Sequence, residues 1–231
     1  MEIWETPIYN PAYVSRLINL STGRIKRWLQ GYEYSYIASD SAKAVWRHKE
    51  PVIDRDDSEI PSYASFLDLI DLLFVKQFLN KGLSLQKIRK ALTEAQAVIG
   101  GHHFAQRMFF TDGKNIYMQV RDDADSLLEL LSGGHWVISQ FIKELAEQIE
   151  FDEPSGFAAK WFPLGKTGLI VIDPKISFGR PTIIGKNIST DNIYDCYLGE
   201  NENITKVCGW SDLTRAQVTA AIKFETTLNA A

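Results

Sequence analysis

The sequence predicts an α+β protein, mainly helical. A winged helix-turn-helix leads, a central small β-hairpin region follows, and a three-helix unit, itself like a helix-turn-helix, closes the chain. Three observations carry this. Apolar residues recur at helical spacing over long stretches, the mark of amphipathic helices. Two runs between residues 32 and 53 are rich in strand formers and separated by a polar turn. Capping residues and glycines punctuate the boundaries.

Asn10-Pro11 starts the first helix, because Asn caps and Pro suits the first helical position. "AYVSRLI" then places Val14, Leu17 and Ile18 on one face. "NLST" makes a short polar turn. The second helix runs from Thr22 to Gln30, and Gly31 stops it. Ile25, Trp28 and Leu29 form its inner face, which leaves Arg24, Lys26 and Arg27 pointing elsewhere. Two short helices joined by a few polar residues describe a helix-turn-helix. "YEYSYIAS" reads as a strand, "AVWRHKEPVI" as its partner and "DSAK" as the turn between them, together a wing.

Ser65 caps a helix over Phe66–Asn80, closed by Gly82. Its run "FLDLIDLLFVKQFL" is the longest apolar stretch, yet Asp68, Asp71 and Lys76 interrupt it. No stretch reaches the roughly 18 apolar residues of a membrane span. Ser84 caps "LQKIRKALTEAQAVI", with Leu85, Ile88, Leu92 and Ala95 at core spacing. "GGHH" breaks the pattern. "QRMFFTDGKNIYMQV" carries an Asp-Gly hairpin signal, and residues 126–131 and 136–148 mix helix and strand character. "FAAKWFPL" and "GLIVID" read as strands around Gly165. Three helices follow: Asp191–Leu198, Ile204–Cys208 and Arg215–Leu228, the last opened by a capping box at Thr214 and Gln217. The chain divides as 1–99, 100–165 and 166–231.

The net charge is −4, which excludes a protein coated in basic residues. The distribution is uneven: residues 1–50 hold seven Lys/Arg against five Asp/Glu. A local basic end suits phosphates. The candidate DNA-binding residues are Arg16 on the first helix, Ser21 and Thr22 at the start of the second, Arg24, Lys26 and Arg27 along it, and Lys43, Arg47 and Lys49 in the wing. Arg24, Lys26 and Arg27 are expected to enter the major groove, while Arg16, Arg47 and Lys49 grip the backbone.

Other chemistry finds little support. "GRPTIIGKN" is not a phosphate loop: five residues separate Gly179 from Gly185 where four are needed, and Asn187 stands where Ser or Thr should hold magnesium. His102 and His103 are adjacent and diverge on a loop, while His48 and His135 are distant in sequence. Asp122, Asp123 and Asp125 do not complete a calcium loop. Cys196 and Cys208 lack zinc spacing and are expected to be reduced, core-filling thiols. No enzyme, metal or cofactor is expected. Glu2, Glu5 and the lack of a long apolar run argue against a signal peptide, so a cytoplasmic location is expected.

Several stretches resemble a known family. "YVSRLINLSTGRIKRWLQGY" is similar to the amino-terminal DNA-binding unit of long VapB-like antitoxins, itself similar to the MerR winged helix-turn-helix. "SFLDLIDLLFVKQFLNKGLSLQKIRKAL" and "FFTDGKNIY" resemble that family in the same order. "IDPKISFGRPTIIGKNISTDNI" resembles the start of a small carboxy-terminal domain of unknown function common in predicted antitoxins, with Lys186-Asn187 where Thr-Arg is usual. The resemblance implies an antitoxin that binds its own promoter DNA and sequesters a PIN-like ribonuclease toxin. A homodimer fits, because paired DNA half-sites demand two-fold symmetry. Two other readings stay open: a stand-alone MerR-like transcriptional regulator, and a protein-interaction adaptor without DNA binding.

Overall fold

The computed structural model describes residues 2–37, 43–53, 55, 60, 62–99, 103–106 and 144–230. The fold is α+β. Among the described residues, helices α1 (Pro11–Ile18) and α2 (Thr22–Gln30) precede a hairpin of β1 (Tyr32–Ile37) and β2 (Ala44–Lys49). Helices α3 (Phe66–Asn80) and α4 (Leu85–Ile99) follow. Strands β3 (Ile149–Phe151), β4 (Ala158–Trp161), β5 (Ile170–Ile172) and β6 (Pro181–Ile183) form an antiparallel sheet in that order. Helices α5 (Thr190–Gly199), α6 (Ile204–Ser211) and α7 (Arg215–Asn229) close the chain. The expected Asp-Gly hairpin, residues 126–131 and 136–143, the cluster Asp122, Asp123 and Asp125, and His102 and His135 lie outside the described residues.

The start of α1 follows the expected chemistry. The Asn10 side chain accepts from the Tyr13 amide at 2.9 Å, and Pro11 occupies the first helical position. Asn19 ends the helix in the left-handed conformation that Asn tolerates. Gly31 ends α2 at φ 73°, ψ −169°, a conformation that is essentially glycine's alone. A Cβ there would stand 2.4 Å from the Lys49 carbonyl, so the same glycine lets the hairpin return close to the helix.

Helix α3 is the centre of the molecule, with eleven of its fifteen residues buried, including Asp68 and Asp71. A helix buried on all sides must satisfy each polar group it carries. Asp68 lies in the first turn, where its Oδ2 accepts from the Ser65 amide at 2.8 Å and from the Arg55 guanidinium at 3.0 Å. Asp71 accepts from the amides of Phe104 and Ala105, each at 3.1 Å, and so fixes a short 3-10 turn against the helix. Lys76 donates to the Ile18 carbonyl at 2.5 Å, tying the end of α1 to α3. These three residues interrupt the apolar run because each holds a neighbouring segment in place.

Two apolar cores result. The larger gathers α1–α4 with Ile149, Ala158 and Trp161 of the sheet; the smaller gathers α5–α7 with Ile183. Strand β5 serves both. Ile170 belongs to the smaller core and Ile172, two residues on and on the same face, to the larger. Leu17 of α1 packs against each. The boundary expected at residue 165 falls between β4 and β5, which pair through Trp161 and Ile172.

Between the glycines of "GRPTIIGKN", Pro181–Ile183 forms the edge strand β6, where a leading proline costs no ladder bond. Two expectations change. Helix α6 runs past Cys208 to Ser211, whose hydroxyl donates to the Val207 carbonyl at 2.6 Å, before Asp212 turns left-handed. Cys196 and Cys208 are half-buried rather than core-filling, and Cys208 packs against the small core from its flank.

Candidate nucleic-acid interface

Helix α2 buries Ile25, Trp28 and Leu29 and exposes everything else. Helical geometry puts Gly23, Arg27 and Gln30 in the middle of the outward face, with Arg24 on one flank and Lys26 on the other. The N-cap Ser21 makes no side-chain capping bond, so its exposed hydroxyl and that of Thr22 stand at the open start of the helix. Arg27 bends back along its own helix. Its Nε donates to the Gly23 carbonyl at 3.1 Å, and its guanidinium sits 5.7 Å from the centre of the Tyr32 ring.

That contact joins the helix to the hairpin. All twelve residues of β1 and β2 are exposed, on both faces. Directly opposed residues of an antiparallel pair share a face. The register therefore collects Tyr32, Tyr34 and Tyr36 with their partners Lys49, Arg47 and Val45 on one side. The three rings follow one another at 6.0 and 6.5 Å. Arg47 lies 5.7 Å from the Tyr36 ring and donates to its hydroxyl at 3.2 Å, a bond that pushes the guanidinium pKa further up. The face is thus a row of aromatic rings edged by fixed positive charge. The other face carries Trp46, 69% exposed, and Ile37, 72% exposed, beside His48 and Glu50, which approach to 3.7 Å.

Arg24 and Arg27 also line a groove of about 420 Å³ with Tyr32 and Arg89 of α4. Arg89 acts on position rather than on a ligand: one nitrogen, Nη1, donates to the carbonyls of Glu50 at 2.6 Å and Pro51 at 2.7 Å. It clamps the hairpin's exit onto α4, and burial pulls its pKa down. Val52 and Ile53 complete the anchor by donating to the Trp28 carbonyl at 2.7 and 3.0 Å.

The structure brings Arg24, Arg27, Arg47 and Lys49 to one side, through Tyr32 and its neighbours. Lys43 is exposed near the hairpin turn, and Lys26 lies on the far flank of α2. Arg16 is separate. It lies over Tyr13, 5.5 Å from the ring centre, and reaches Asn229 of α7 at 3.5 Å. The tyrosine row and Arg89 were not among the sequence candidates. The row was signalled by the period-two spacing of "YEYSY"; Arg89 had no signal, since its partners are backbone carbonyls almost forty residues away. Among the described residues, no three His, Cys, Asp or Glu side chains are grouped to hold a metal ion. Nor is any helix among them long and apolar enough to cross a membrane.

The C-terminal segment contains a second fixed geometry. Gly179 adopts φ 70°, and a Cβ there would stand 2.1 Å from the Tyr9 hydroxyl. Arg180 pairs with Asp191 at the start of α5, 3.3 Å away, and Pro181 opens β6. Lys186 reaches the carboxylate of Asp212 at 3.2 Å and its carbonyl at 3.3 Å.

Residues 170–224 match the model of a protein of unknown function, DUF433. The DUF433 match opens on β5, takes in the Gly-Arg-Pro turn and ends within α7. The fold as a whole is similar to the crystal structure of Rv2018 from Mycobacterium tuberculosis. The TM-score is 0.69 at 19% identity, over 95% of this chain and 99% of that one. At this identity the likeness is one of fold. No curated protein matches the chain.

Proposed function

We propose that this protein is an antitoxin that binds its own promoter DNA as a homodimer and neutralises a PIN-like ribonuclease toxin in the cytoplasm. The observation that carries the DNA-binding half is the joining of Arg24 and Arg27 on α2 to the tyrosine–arginine face of the hairpin. In this reading α1, α2 and the hairpin are a MerR-like winged helix-turn-helix. Helix α2 enters the major groove, where Arg27 meets base edges. Arg47 and Lys49 neutralise phosphates, and the tyrosine hydroxyls donate to the same backbone. The antitoxin half rests on the order of the sequence motifs, with the DUF433 match at their C-terminal end. Leu198 of α5 and Trp210 of α6, both exposed, offer a toxin an apolar surface.

The experiment is a titration of labelled DNA from upstream of the gene, at fixed salt. Saturable binding that weakens on Arg27→Ala supports the reading. A flat response at low salt removes it and leaves the protein-interaction adaptor. Gentle purification from the native host tests the partner: a stoichiometric nuclease-like protein supports an antitoxin, whereas this chain alone favours a stand-alone MerR-like regulator.

A further inference from the structure

A groove of about 750 Å³ opens between α1, α3, α7 and the turn after β4. It is separate from the groove beside Tyr32; the two share no described lining residue. Leu73, Phe224 and Leu228 give it an apolar floor. Its charged lining has one sign: Arg16, Lys76 and Lys223 contribute, and among the described residues no Asp or Glu does. Arg16 and Lys223 are exposed, so their charged ends need no burial to meet a ligand.

Trp161 also lines the groove; it is 4% exposed and its indole nitrogen is sealed from solvent, so the aromatic ring forms part of the apolar wall.

We propose that this groove binds an apolar organic anion. Its acidic head meets Arg16 and Lys223, and its tail lies over Leu73, Phe224 and Leu228. The volume is that of a small-molecule site. Such a ligand also touches Ile18 and Asn19, the turn that joins α1 to α2, so its binding is felt where the basic helix begins.

The test uses the full chain and the fluorescent anion 8-anilinonaphthalene-1-sulfonate, with no DNA present, so its outcome is independent of DNA binding. The expected result is saturable fluorescence at one site per chain, displaced by octanoate but not by octanol, which keeps the tail and lacks the charge. Arg16→Met with Lys223→Met should weaken octanoate binding about tenfold. Lys223→Met alone, on an exposed side chain, should do so to a smaller degree if the pair fails to fold. Octanol competing as well as octanoate would overturn the proposal, as would a folded Lys223→Met protein binding octanoate like the parent. Displacement by an acidic amphipathic peptide where octanoate fails would overturn it in favour of a protein partner.

Discussion

The Tyr9 hydroxyl donates a hydrogen bond to the Gly179 carbonyl at 3.0 Å, buried between residues 170 positions apart. It ties the segment before α1 to the Gly-Arg-Pro turn of the C-terminal segment. Tyr9→Phe leaves that carbonyl without its donor, and should cost about 1–3 kcal/mol of stability in a urea titration. Gly179→Ala should cost more, since the new methyl carbon collides with the phenol and the backbone sits at φ 70°.

Alkali should find the same residue. Burial raises the Tyr9 phenol far above its ordinary value of 10.0, and burial together with Glu225 raises that of Tyr13. The unfolded chain releases these protons near pH 10 while the folded one retains them, so stability falls as pH rises past that value. Melting temperatures followed from pH 8 to 11 should show a shallower decline for Tyr9→Phe than for the parent.

Glu225 is 6% exposed on α7, and its carboxylate accepts from the Thr190 hydroxyl. Burial, with Asp191 and Asp195 nearby, raises its pKa above the ordinary 4.5 against the lowering from Thr190 and Arg16. Stability from this group is therefore present below pH 4.5 and lost as pH rises through the folded value. Glu225→Gln, neutral at every pH and still an acceptor, should raise the melting temperature at pH 7. It should give no such gain at pH 4.

Gly31→Ala places a methyl carbon 2.4 Å from the Lys49 carbonyl at a φ of 73°. The strain costs about 1–3 kcal/mol before the hairpin moves to relieve the contact. Calorimetry should show the loss. DNA affinity should fall further than stability explains, because the hairpin no longer meets α2 in register.

On DNA, Arg27 and Arg47 should separate by their signatures. Arg27→Ala should cost about 1–3 kcal/mol and relax preference at one base pair, as loss of a base contact does. Arg47→Ala should weaken all sequences alike and reduce the salt slope by about one. Fluorescence anisotropy over a salt series distinguishes the two, and identical effects would refute this division of roles.

The helices were legible because their signals are local. Asn10, Ser65 and Thr214 each cap as their sequence neighbourhoods indicate, and α3 and α4 fall where Ser65 and Ser84 start them. Strands β3 and β6 were not legible. Each has three residues, too few for alternation to appear, and each is specified by a partner strand rather than by its own pattern. The candidate site divides in the same way. Arg24 and Arg27 could be assigned to an exposed face from the apolar spacing around them. Nothing local distinguishes Arg16, which the packing of α7 against α1 turns toward Asn229.

Strand β5 gives the C-terminal segment a cost of removal. Since Ile170 and Ile172 line two different interiors, cutting the chain before β5 strips a wall from the larger one and leaves β4 with a bare edge. Bare edges recruit strands from other molecules. A fragment ending at residue 165, made to isolate the basic helix and hairpin for DNA work, should self-associate. The segment therefore cannot be traded between proteins like a cassette: any exchange must bring a strand that fits both interiors.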